Sequence, residues 1–106
     1  MDFGLSEEVL ELIKRIVNEN PKYKFKIFGS RAKNTYKKTS DIDIAVFENV
    51  NKDDEYKIRN EFDLLDIVYK IDLVFISKNT KPEFLTEIKK EGVEIKWKDL
   101  KKEDKI

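Results

Sequence analysis

The chain changes rhythm between apolar and polar positions, and the changes mark out seven elements. Val9, Leu10, Leu12, Ile13, Ile16 and Val17 recur at three- and four-residue spacing and make one stripe of a helix. Ser6 is placed to cap that helix, Glu7 and Glu8 follow at its positive end, and Asn20-Pro21 stops it. Tyr23 to Phe28 alternates as a strand does, with Phe25 and Ile27 on one face and Lys24 and Lys26 on the other. Gly29-Ser30 opens a turn or a short helical stub, and Lys33 to Thr39 holds no apolar pattern, so it reads as a surface loop. A second strand runs from Asp41 to Phe47. Asn49 to Asp53 is a polar connection with helix-capping residues, and Ile58, Phe62 and Leu65 mark the buried stripe of a second helix.

A third strand, Ile71 to Ile76, is apolar except for Asp72. Thr80-Lys81-Pro82-Glu83 combines the spacing of a capping box with a proline in the first turn. Phe84, Leu85 and Ile88 line a third helix that Gly92 ends, and Val93 to Trp97 alternates as a last, edge strand. From Lys98 the chain reads as a charged, frayed tail. The expected fold is α/β (α+β), a small mixed β-sheet with helices mainly on one face. No repeat or low-complexity linker divides it, so residues 1–106 are expected to form a single domain.

Composition narrows what such a domain does. With 106 residues, 40% of them apolar, the chain supports one small core. Charged residues make up 42% and cancel, 22 basic against 22 acidic, which argues against bulk nucleic-acid or membrane binding. Without cysteine there are no disulfides or thiolate metal sites, and nothing indicates secretion. No run approaches the ~18 apolar residues of a membrane span. A cytoplasmic location is the expectation. Only three of the 22 basic residues are arginine and there is no histidine, a bias resembling heat-adapted proteomes.

The candidate chemistry lies between Phe28 and Phe47, with one residue added later. In Asp41-Ile42-Asp43-Ile44 the two carboxylates share a strand face, their Cα atoms roughly 7 Å apart. They repel unless a cation lies between them, although aspartate at a strand start also serves simple turn chemistry. Asp72 sits mid-strand, where an unpaired carboxylate is costly, so it needs a lysine, an arginine or a metal. If the second and third strands are neighbours, Asp72 joins Asp41 and Asp43, and the three cannot all ionise without divalent cations. Its mid-strand place also makes Asp72 the expected site of the heaviest desolvation. The Gly29-Ser30 turn offers backbone N–H groups and a hydroxyl as an anion cradle, with Arg31 and Lys33 near enough to help. A cradle beside a carboxylate–metal cluster suits a nucleoside triphosphate. The lysine pairs at 37–38, 89–90 and 101–102 read as solvated surface.

Gly29-Ser30-Arg31-Ala32, then Ser40-Asp41-Ile42-Asp43-Ile44, then Asp72 in an apolar strand, resemble the polymerase-beta-type nucleotidyltransferase superfamily. The short length and the Gly-Ser-Arg-Ala wording resemble its minimal nucleotidyltransferase (MNT) branch, often encoded beside HEPN-domain partners as antitoxins. The resemblance covers nearly the whole chain and implies a nucleotidyltransferase fold. It implies that Gly29, Ser30 and Arg31 bind nucleotide and that Asp41, Asp43 and Asp72 are catalytic. Those aspartates would hold two Mg²⁺ ions, Mn²⁺ being the alternative, with Asp72 helping to activate the acceptor hydroxyl. The implied reaction transfers AMP from ATP to a hydroxyl of a HEPN toxin, silencing it. A catalytically silent antitoxin that masks its partner, and a small-molecule nucleotidyltransferase, are the other two readings. Larger relatives carry a second, helical domain, and the length leaves that role to a partner. Asn34 stands where relatives commonly have glycine; asparagine tolerates a left-handed backbone, so the loop conformation stays open to it.

Overall fold

A computed structural model describes residues 2–96. Helix α1, Glu7–Glu19, starts where the Ser6 side chain accepts the Val9 N–H and ends at Asn20, burying Ile13, Ile16 and Val17. Strand β1 is Lys24–Phe28, and after the loop comes β2, Ile42–Phe47. Helix α2, Lys52–Asp63, is capped by Asn51 and buries Ile58 and Phe62. Leu65 lies just beyond its end but still packs against the core. Strand β3 is Ile71–Phe75, helix α3 is Pro82–Glu91, and β4 is the pair Val93–Glu94. Trp97 and the tail lie outside the described residues.

The sheet order is β3-β2-β1-β4, mixed as expected: β1 is antiparallel to β2 and β4, and β2 is parallel to β3. Its two faces have separate cores. Ile42, Ile44 and Val46 of β2 join Phe25 and Ile27 of β1 against α1 and α2. On the other face Ala45 and Phe47 meet Ile76 and the Ile88 side chain of α3. Two helices thus share one face, and α3 covers part of the second. No helix among the described residues is long and apolar enough to cross a membrane.

Two local features differ from the sequence pattern. The capping box at α3 does not form: Lys81 is the N-cap with no side-chain bond, while Thr80 Oγ1 accepts the Ser77 N–H at 2.9 Å. The hydroxyl closes the preceding turn instead, and Pro82 alone sets the helix start. Phe3 and Leu5, outside every predicted element, are buried in the α1/α2 core after a turn with Phe3 and Gly4 at positive φ.

Candidate functional site

Because β1 and β2 are antiparallel while β2 and β3 are parallel, the end of β1 and the starts of β2 and β3 share one end of the sheet. Phe28 is paired with Asp43, and Asp43 with Asp72. The last pairing is the central result, since residues in register on adjacent strands face the same way about 4.8 Å apart. Asp41 precedes β2 on the same side of the alternation.

Burial and crowding both act on Asp43. Its pKa is raised from the ordinary aspartate value, first by desolvation, then by the charges of Asp72 and Asp41, with a hydrogen-bonding contact to Asp72 adding to it. This corrects the expectation that Asp72 is the most desolvated. β3 is an edge strand, and the Asp72 side chain is 42% exposed with Lys70 Nζ 3.7 Å away. Asp43, on an interior strand, takes the burden.

Gly29 backs onto this carboxylate. Its φ is +76°, and a Cβ there would lie 2.5 Å from Asp43 Oδ2. Glycine is therefore required twice, for backbone handedness and for room. Gly29→Ala is expected to cost about 1–3 kcal/mol in urea melts, the usual price of a strained non-glycine backbone. A loss no larger than that of an ordinary surface substitution would show that the carboxylate does not press on the turn. Beyond Gly29 the chain makes one helix-like turn, with Lys33 N–H donating to Gly29 O at 3.1 Å and Thr35 N–H to Ser30 O at 2.9 Å. Asn34 is left-handed at φ 64°, so the position does demand what glycine or asparagine supplies.

Arg31, expected in the nucleotide-binding set, lies inside the fold, 1% exposed, with its guanidinium engaged by backbone carbonyls. Nη1 donates to Phe3 O at 2.9 Å and Nη2 to Ser40 O at 2.9 Å, with Nε also donating to Ser40 O at 3.2 Å. The guanidinium lies 5.1 Å from the Tyr36 ring centre and 4.8 Å from that of Tyr69. Arg31 thus ties the N-terminal turn, the loop and the connection before β3 together, directly behind Gly29-Ser30 and Asp41. Sequence reading missed this because Phe3 and Tyr69 are distant along the chain and nothing in the local pattern turns Tyr36 onto Arg31. Lys33, also considered for phosphate, is 3.7 Å from Glu91.

The donor set is all oxygen, which suits a hard cation such as Mg²⁺. Among the described residues no three acidic groups close into a metal cage. An open carboxylate pair is nonetheless the usual arrangement for Mg²⁺, which takes one or two carboxylates and completes its shell with water and substrate phosphates. The residues fit.

A sheet of this order with a Gly-Ser turn and paired aspartates at one end defines a nucleotidyltransferase-type domain. Residues 11–101 match the family model for polymerase beta, nucleotidyltransferase, and the chain belongs to that family. No curated protein matches significantly. Among solved structures the chain is similar to a toxin–antitoxin complex with AMP-PNP, at 23% identity and TM-score 0.60, over 81% of this chain and 71% of that one. It is similar to a mutant MntA–HpeT toxin–antitoxin structure at 22% identity and TM-score 0.60, over 86% and 73%. A nucleotidyltransferase structure from Sulfolobus solfataricus matches at 28% identity and TM-score 0.50, over 82% and 78%.

Proposed function

We propose that the domain is a metal-dependent nucleotidyltransferase that moves AMP from ATP to a hydroxyl of a partner protein, as the antitoxin of a toxin–antitoxin pair with a HEPN-domain toxin. The observation that carries this reading is the register of Asp43 with Asp72 beside the Gly29 turn. Two carboxylates in register, with the Asp43 pKa raised by burial and then by the charges of Asp72 and Asp41, support a reading in which cations complete the site. Toxin–antitoxin complexes, one with an ATP analogue, among the structural neighbours support the choice of partner and nucleotide.

In this reading Asp41, Asp43 and Asp72 hold the ions, and Gly29 and Ser30 cradle the triphosphate. Held there, divalent cations would lower the pKa of the acceptor hydroxyl and offset the charge on the leaving pyrophosphate. The acceptor oxygen bonds to the α-phosphorus as its bond to the pyrophosphate breaks. Without histidine in the chain, the hydroxyl proton goes to the Asp72 carboxylate, the most accessible of the paired acids. Lys70 offsets its charge.

The test is mass spectrometry of the toxin partner, co-expressed with this chain. The expected result is a toxin heavier by whole AMP units with the wild type and unmodified with Asp43→Asn. A partner that is bound and inhibited yet unmodified by the wild type would overturn the enzymatic reading in favour of masking.

A further inference from the structure

On the sheet face that carries Asp43, but at the opposite end, a cavity of about 650 Å³ opens. Phe47, at its floor, lies four residues along β2 from Asp43, roughly 13 Å. Ile76 completes the apolar floor, and four lysines, Lys24, Lys26, Lys78 and Lys89, surround it. Three constraints deliver them. Lys24 and Lys26 alternate onto this face of β1, with Lys24 paired opposite Phe47. Lys78 follows Ile76, whose N–H is bonded to Val46 O at 2.9 Å. Lys89 follows Ile88, fully buried in the core beneath.

The charges there are unbalanced although the whole chain is neutral. Among the described residues Glu48 is the one carboxylate in the lining, and none of the four lysines is in an ion pair. Lys26 is held in place: its ammonium lies 5.6 Å from the Phe47 ring centre, and its Cδ occupies space that a Cβ on Gly92 would approach to 3.3 Å. Glu48 and Asn49, on the rim, have φ of 87° and 53°, left-handed backbone that non-glycine residues hold only under constraint. Ammonium groups bind phosphate oxygens as point charges, and four of them with one carboxylate make the lining favour an anion. The volume falls within the ~300–1,000 Å³ of small-molecule sites, well beyond a lone phosphate, and the floor offers a ring to stack on.

We propose that this cavity is a second, metal-independent site that binds a nucleoside phosphate, its phosphates on the four lysines and its heterocycle against Phe47 and Ile76. The site stands independently of the chemistry at Asp43. In EDTA the acidic end of the sheet repels phosphates, so binding without metal reports on the lysines at the other end. The experiment is an amide NMR titration of the metal-free protein with ADP and, separately, with pyrophosphate. ADP is expected to saturate, shifting the amides of Lys24, Phe47, Ser77, Lys78 and Lys89 together with the Phe47 ring. Pyrophosphate should shift the amides without the ring and bind more weakly. The exposed pair Lys24→Glu and Lys78→Glu should weaken ADP at least tenfold, and Lys24→Gln with Lys78→Gln by an intermediate amount, while Asp43→Asn leaves it unchanged. Shifts confined to Gly29–Asp43, equal affinity in the charge-reversed pair, or ADP binding no tighter than pyrophosphate would each overturn the proposal.

Discussion

Arg31→Met is expected to be among the most destabilising single substitutions in the chain, with a thermal midpoint lower by more than about 10 °C. Methionine keeps an apolar stem but leaves the carbonyls of Phe3 and Ser40 without their donor. Hydrogen bonds from a charged group contribute about 1.5–3 kcal/mol each, and the rings of Tyr36 and Tyr69 lose a cation between them as well. These terms overlap, so the expected total is roughly 3–4 kcal/mol rather than their sum. Each kcal/mol moves the midpoint of a domain this size by about 4–8 °C. Arg31→Lys should rescue little, because an ammonium cannot serve the same carbonyls in one plane. The alternative role makes the opposite prediction. An arginine reserved for phosphate would leave the melt of the free protein unchanged and remove only the stabilisation by Mg²⁺ and ATP.

That contrast marks where the sequence stops being informative. Elements whose cause is local were legible: the α1 stripe, the Ser6 cap, capping residues before α2, the alternation of β1, and a left-handed need at Asn34. So was the meeting of Asp43 with Asp72, which strand periodicity and a pairing that consecutive elements usually adopt bring into register. What was hidden depends on assembly. Whether Asp72 or Asp43 is crowded depends on β3 being an edge, and strand order is not written in either strand. The fate of Arg31 depends on a carbonyl 28 residues away. Lys89 is exposed as its sequence suggests, but that it borders a cavity follows only once α3 is laid over the sheet. The Thr80 cap fails because a competing turn takes the hydroxyl, a contest between two local motifs that spacing alone does not decide.

Asp43→Asn is expected to separate stability from activity most sharply. Burial and the charges of Asp72 and Asp41 raise the folded-state pKa of Asp43 above its unfolded value near ~4. Folding therefore disfavours the ionised form, and the unfolded chain releases the proton first. In EDTA the wild type should lose stability as pH rises from about 4 through the folded-state pKa, seen as a falling urea midpoint between pH 4 and 8. Asparagine keeps the shape and a hydrogen-bonding group toward Asp72 without the charge, so its profile should be flatter and its midpoint at pH 8 higher. Asp54 does not confuse the reading. The Tyr23 hydroxyl lowers its pKa, so its contribution is lost only as pH falls below about 4. Mg²⁺ should restore the wild-type midpoint at pH 8 and do little for the variant, while nucleotidyl transfer falls by more than about a hundredfold. Loss of even outer partners of a metal site costs ten- to a hundredfold, and Asp43 sits closer than those. Parallel pH profiles with equal responses to Mg²⁺ would mean that the carboxylates at this end of the sheet are not competing for a cation, and the metal site proposed at Asp43 and Asp72 would fall with them.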